Sequence, residues 1–90
     1  MSAVRDNPAE SRFELEEAGA LAYADYRREG GRWVIPYVYA PPELRGTGAA
    51  GRLMEGVASQ ARAAGVRILP VCGYAAAWLR RHREWSDVSY

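Results

Sequence analysis

Lysine is missing from this 90-residue chain, whose 12 basic residues are all arginine. Eleven acidic residues bring the formal charge to +1 at pH 7, so the broad basic surface of a general nucleic-acid binder is excluded. Exclusive use of arginine fits a GC-rich coding genome, and it also supplies planar forks that grip phosphate in a way lysine cannot reproduce. The single cysteine, Cys72, leaves no internal disulfide, which fits a reducing compartment. One Cys and one His cannot assemble a four-ligand N/S zinc site, so no metal is expected. No apolar run approaches the ~20 residues that a bilayer span requires. The segment around Arg5, Asp6 and Asn7 lacks the apolar stretch of a secretory leader, and the expectation is a cytoplasmic protein without a membrane partner.

What remains is ordinary for a folded domain: 49% hydrophobic and 26% charged residues. A chain of this length buries roughly 60 to 65% of its unfolded surface, enough for one core and one site, so residues 1–90 are expected to form a single domain. Met1 to Ser11 is polar and contains Asn7 and Pro8, and is expected to be a loose entry segment. From Arg12 to Glu16 the pattern alternates, with Phe13 and Leu15 on one face, as in a half-buried strand. Ala18 and Gly19 mark a turn. A second strand covers Ala20 to Arg27 with Leu21, Tyr23 and Tyr26, and a third covers Arg32 to Tyr39 after the Gly30–Gly31 break. Pro36 cannot donate to a ladder, so this third run is either an edge strand or carries a bulge.

Downstream the period changes from two to 3.6. Ala50, Leu53, Met54, Val57, Ala58 and Ala61 recur at helical spacing opposite Arg52, Glu55, Ser59 and Arg62, and Gly65 ends the helix. Val66 to Val71 reads as a buried strand, parallel to its predecessor because a helix connects them. Ala75 to Arg83 reads as a second helix, and Trp85, Val88 and Tyr90 form an aromatic tail able to pack back on the sheet. The fold class is therefore α/β with a mixed sheet: an antiparallel meander, then α-β-α with a parallel strand pair.

Between the third strand and the first helix runs PPELRGTGAAGRLM, Pro41 to Met54. Two prolines stop the strand. Arg45, Gly46, Thr47, Gly48, Ala49 and Ala50 then carry nearly bare backbone into the first turn of a helix, where unpaired amides and the helix dipole favour an anion such as phosphate.

This arrangement resembles the GNAT superfamily of acyl-CoA N-acyltransferases, in particular its small single-domain YjdJ-like subgroup, from about Asn7 to Val88. The superfamily's cofactor signature is Arg or Gln, two residues, Gly, one residue, then Gly or Ala, and Arg45, Gly48 and Ala50 fill it. Pro70, Cys72 and Tyr74 match a second signature of the subgroup, and His82, Glu84 and Trp85 a third. The resemblance implies a minimal GNAT-like fold. It also implies acetyl-CoA as cofactor, its pyrophosphate on the amides of Arg45 to Ala50 and its pantetheine between strands that splay near Tyr39 and Leu69. The implied activity is N-acetyl transfer to an amine acceptor, a protein lysine or a small amine, by direct transfer. One departure matters: where the subgroup carries His, Thr and Glu, this chain has Tyr37, Val38 and Tyr39.

The candidate catalytic residues are Cys72 and Tyr74. Cys72 is either a nucleophile activated by the following helix or a small buried hydrophobe, since free cysteine is among the most buried residue types. Tyr74 either protonates the departing CoA thiolate or packs beneath the second helix. His82, among Arg80, Arg81 and Arg83, reads first as a solvated helix end. A different reading of the whole chain is a non-catalytic acetyl-CoA-binding or protein-interaction domain, since it lacks the long N-terminal helices of larger relatives. Either a monomer or a homodimer is compatible with these features.

Overall fold

The alternation of Phe13 and Leu15 with charged residues becomes a strand at Arg12–Glu17, β2, in the computed structural model, which describes residues 3–90. It shares one sheet with β1 (Arg5–Asn7), β3 (Ala20–Glu29), β4 (Arg32–Tyr39) and β5 (Arg67–Pro70), and the spatial order of the strands is their order in the chain. Strands β1 to β4 pair antiparallel. Between β4 and β5 the chain crosses over through α1 (Ala49–Ala64), so these two run parallel. A second helix, α2 (Gly73–Arg81), and a 3-10 segment at Arg83–Val88 complete the mixed α/β fold.

One hydrophobic cluster joins these elements. Leu53, Met54, Val57, Ala58 and Ala61 of α1 are fully buried against Phe13 and Leu15 of β2 and Ala22 and Ala24 of β3. Burial along β3 follows Ala20, Ala22, Ala24 and Tyr26, so Leu21 and Tyr23, the bulkier residues of that run, face the other way. Alanines suffice on the inner face because α1 supplies the volume there. On α1 itself Ala49 is buried and Ala50 half-buried. Gly65 ends the helix in the left-handed region at φ 69°, its N–H donating to the carbonyls of Ala61 and Arg62.

The expectation of a loose segment over residues 1–11 is corrected for Arg5–Asn7, which form β1 on the edge of the sheet; Met1 and Ser2 lie outside the described residues. Side chains hold it there. Arg5 and Asn7 both donate to the Glu14 carboxylate, and Asp6 accepts from the Tyr26 hydroxyl at 2.7 Å and from Arg28 at 2.6 Å. The second helix also begins earlier than its spacing indicated, at Gly73, and stops at Arg81, where His82 leaves helical geometry.

Pro36 lies in a strand with partners on both sides, and the ladder adjusts by a bulge. The register between β3 and β4 shifts between Asp25 and Arg27, so Ile35 and Pro36 together oppose Tyr26. The same place ends the parallel ladder. The Ile35 carbonyl accepts from the amides of both Val71 and Cys72, at 3.1 and 2.9 Å, and the last paired residues are Ile35 and Pro70. Leu69 is still paired with Val34. The strands therefore part after Ile35 and Pro70, not at Tyr39 and Leu69, because a proline with no N–H follows a carbonyl already occupied twice. At the far edge, Tyr90 N–H donates to the Ile68 carbonyl and Val88 is buried, so the C-terminal tail does return to β5.

Candidate active site

The prolines at 41 and 42 start a single 3-10 turn, Pro42–Leu44, whose buried Leu44 anchors the loop before the backbone turns into α1. Positive φ angles at Gly46 (78°) and Gly48 (86°) make that turn, a conformation costly for residues with a Cβ. Thr47 is consumed by the loop itself. Its hydroxyl donates to the Leu44 carbonyl at 2.6 Å and accepts from the Ala49 amide at 3.3 Å. The amides of Arg45 and Thr47 are likewise engaged, on the carbonyls of Pro42 and Leu44. Among the described residues no protein acceptor meets the amides of Gly46, Gly48, Ala50 and Gly51.

All four of those residues line one shallow cleft of about 250 Å³, together with Ala40, Leu44, Arg45, Ala49 and Tyr74. Arg45 donates through Nε to the Ala40 carbonyl at 3.0 Å and has no acidic partner among the described residues, so its outer nitrogens stay available for an anion. Free amides, a helix N-terminus and an unpaired guanidinium form a donor set that fits the phosphates of a coenzyme A. Of the residues expected to bind cofactor, Arg45, Gly46, Gly48, Ala49 and Ala50 share the cleft, whereas Thr47 shapes the loop from behind. A larger cleft of about 460 Å³ lies between α1, β2 and Trp85, but Glu17 and Glu55 are on its wall and the glycine loop is not. Size does not mark the candidate anion site; its donors do.

The structure adds Gly51 and Trp78 to the residues found in sequence. A Cβ at Gly51 would lie 3.4 Å from Trp78 Nε1 and 3.9 Å from the Tyr74 hydroxyl, so α2 meets α1 where glycine permits it. The Gly51 position was legible only as one more small residue. Its partner stands 27 residues downstream, beyond any local pattern.

Tyr74, on the first turn of α2, is 39% exposed and opens onto the cleft. Burial pushes its phenol above the ordinary tyrosine range, against an opposing pull from Arg81, so it holds its proton at neutral pH. Cys72 is the N-cap residue of α2, partly buried against the core, with its amide on the Ile35 carbonyl where the strands part. It is not on the wall of the glycine-loop cleft. His82 stacks on Trp78 with ring centroids 4.0 Å apart, and its Nδ1 is 2.8 Å from the Trp78 carbonyl, a helix-end arrangement away from the cleft. Among the described residues no group of three or more His, Cys, Asp or Glu side chains could hold a metal ion, and no helix is long and apolar enough to cross a membrane.

Comparison with known proteins bears on the fold and the family. A solution structure of a GCN5-like candidate N-acetyltransferase from Staphylococcus aureus superimposes with a TM-score of 0.76 at 26% identity, over 100% of this chain and 91% of that one. No curated protein matches the chain. The model of the GCN5-related N-acetyl-transferase family matches residues 12–88, which takes in β2 through the C-terminal segment with the glycine loop at its centre. Since that match spans most of the chain, the protein belongs to the GCN5-related N-acetyltransferase family.

Proposed function

We propose that the protein moves an acetyl group from acetyl-CoA to an amine by direct transfer. The observation that carries this reading is the cluster of four unengaged amides, Gly46, Gly48, Ala50 and Gly51, on the wall of one cleft with Arg45. In this reading they hold the pyrophosphate, and the opening beyond Ile35 and Pro70 takes the pantetheine arm. Acetyl-CoA supplies a thioester whose carbonyl carbon bonds to the amine nitrogen as the carbon–sulfur bond breaks.

Tyr74 is the proton donor in this scheme. Its phenol gives a proton to the departing sulfur and recovers one from solvent, which takes up the proton the amine loses. Cys72 contributes a contact beside the thioester, since direct transfer needs no acyl-cysteine. Positioning carries more of the rate than acid–base chemistry in this reading.

Calorimetry with acetyl-CoA tests the reading, using Gly48→Trp as the comparison. Saturable binding by the wild type that is lost in a folded Gly48→Trp variant is the expected outcome. A folded wild-type protein that does not bind acetyl-CoA ends the proposal. Transfer that persists in Cys72→Ala leaves the thiol a contact only; abolished transfer in a folded variant moves it into the mechanism.

A further inference from the structure

Strand alternation gives the sheet a second face, opposite α1. Phe13, Ala24 and Val38 are aligned across β2, β3 and β4 and belong to or pack on the core. Their neighbours Glu14, Tyr23 and Tyr39 in one row, and Arg12, Asp25 and Tyr37 in the next, therefore point the other way. The rings of Tyr23, Tyr37 and Tyr39 form a continuous cluster, with centroids 5.2 to 6.4 Å apart. Tyr37 is 47% exposed, and none of the three hydroxyls has a hydrogen-bond partner among the described residues.

The charges on this face are unevenly used. Glu14 is bound by Arg12 at 2.7 Å and by Arg5 at 3.3 Å. Arg12 also lies over the Tyr23 ring, 4.6 Å from its centroid, so the cluster already accepts a cation on one side. The carboxylate of Asp25, a residue directly opposite both Arg12 and Tyr37, makes no hydrogen bond or ion pair among the described residues. A half-buried, unpaired carboxylate among aromatic rings is a receptor for one cation.

The face also adjoins the cofactor opening. Tyr37 and Tyr39 lie on the part of β4 beyond Ile35, where β5 has already left, and the next residue, Ala40, lines the phosphate cleft. We propose that the aromatic face of Tyr23, Tyr37 and Tyr39 with Asp25 is the acceptor site, and that its acceptor is a lysine side chain presented by an extended peptide. The proposal rests on the acyl-transfer reading above. The aliphatic stem crosses the tyrosine rings and the ammonium pairs with Asp25.

One carboxylate selects a monocation over a polyamine. The next unpaired acid on that face, Glu16, sits opposite Leu21, four residues along β3 from Asp25 and so roughly 13 Å away. A short polyamine would set its second charge near Arg12 instead. The face is one side of a sheet with Tyr37 47% exposed, so it encloses little of a free monoamine. A peptide lying across it gains contacts that a small amine lacks.

The experiment is an NMR titration of the whole chain with the capped tripeptide Gly-Lys-Gly, read at the amides of Tyr23, Asp25, Tyr37 and Tyr39. Saturable shifts there are expected, absent with norleucine in place of lysine. Asp25→Asn should weaken binding about tenfold, the size of a charge-assisted hydrogen bond. Tyr37→Ala should weaken it as well, with acetyl-CoA affinity unchanged in both variants. Unaltered peptide affinity in folded Asp25→Asn, shifts confined to other surfaces, or tighter binding of spermidine or pentylamine than of the peptide overturns the proposal. Lysine-dependent shifts in a protein that fails to bind acetyl-CoA would remove the acyl-transfer reading and leave this surface a lysine-binding site.

Discussion

Trp78 Nε1 stands 3.4 Å from the point where a Cβ on Gly51 would lie, which makes this glycine the contact through which α2 is docked on the first turn of α1. A single methyl is at the limit of ordinary contact, and anything larger must displace the indole. Gly51→Val should therefore lower stability by about 1–3 kcal/mol, as overpacking does. It should also weaken acetyl-CoA binding, because Tyr74 and the free amide move with the helices. Thermal melts and calorimetry on the same sample check both; a variant as stable as the wild type with full cofactor affinity contradicts the docking role.

At Gly48 the constraint is conformational. Its φ of 86° belongs to the left-handed region, and an added Cβ would come within 2.9 Å of the Arg52 guanidinium. That guanidinium holds Glu17 through two bonds, 2.8 and 2.9 Å. Gly48→Ala should cost about 1–2 kcal/mol for the backbone alone. Gly46 is a useful contrast, since its φ is 78° but no atom lies within 4 Å of its Cβ. Gly46→Ala should show the backbone cost without disturbing Arg52, a difference readable by denaturant titration.

The raised phenol of Tyr74 sets where the proton donor of the proposed scheme is lost on the alkaline side. A donor works only while protonated, and here the folded value lies above the ordinary 10.0, so its contribution persists through neutral pH and fades only in alkali. Tyr74→Phe should lower kcat by about 10²-fold, the lower end for a positioned general acid, with little change in acetyl-CoA affinity. Steady-state kinetics decide the matter, and an unaltered kcat would assign Tyr74 to packing.

Glu14 is 4% exposed, closed off by a thin polar lid of Arg5, Asn7 and Arg12. Hydrogen bonds from Arg12 and then Asn7 hold its carboxyl below the ordinary 4.5. Because the folded value is depressed, this stabilisation is fully present above the unfolded value and is lost as pH falls through the lower, folded one. Melting temperature should drop on acidification below about pH 4.5, and more shallowly in Glu14→Gln. Parallel acid profiles for the two proteins would show that the lid contributes nothing to this dependence. At neutral pH, Glu14→Ala should cost about 1–2 kcal/mol by stranding donors of β1 and β2.

Much of this architecture follows from local pattern. The period-two run around Phe13 and Leu15, the 3.6-residue spacing from Leu53 to Ala61 and the left-handed stop at Gly65 each depend on neighbours a few residues away, so the chain itself carries them. The glycine loop is legible for the same reason. Gly46 and Gly48 are required by backbone angles within six residues, and Arg45 sits beside them.

Other features depended on the fold. The N-terminal residues Arg5 to Asn7 read as loose because their own pattern is polar, yet Glu14, Tyr26 and Arg28 supply the partners that make them a strand. Leu21 and Tyr23 face away from the core because α1 occupies the inner side and small alanines fit beneath it. Pro36 announced an edge or a bulge, and only the arrival of β5 on its other side decided for the bulge and fixed where the two strands part. Local rules determined the elements and the glycine loop, since they act through bonded neighbours. Tertiary packing decided the docking of Trp78 on Gly51, the binding of β1 and the opening at Ile35, since each depends on residues brought together from distant parts of the chain.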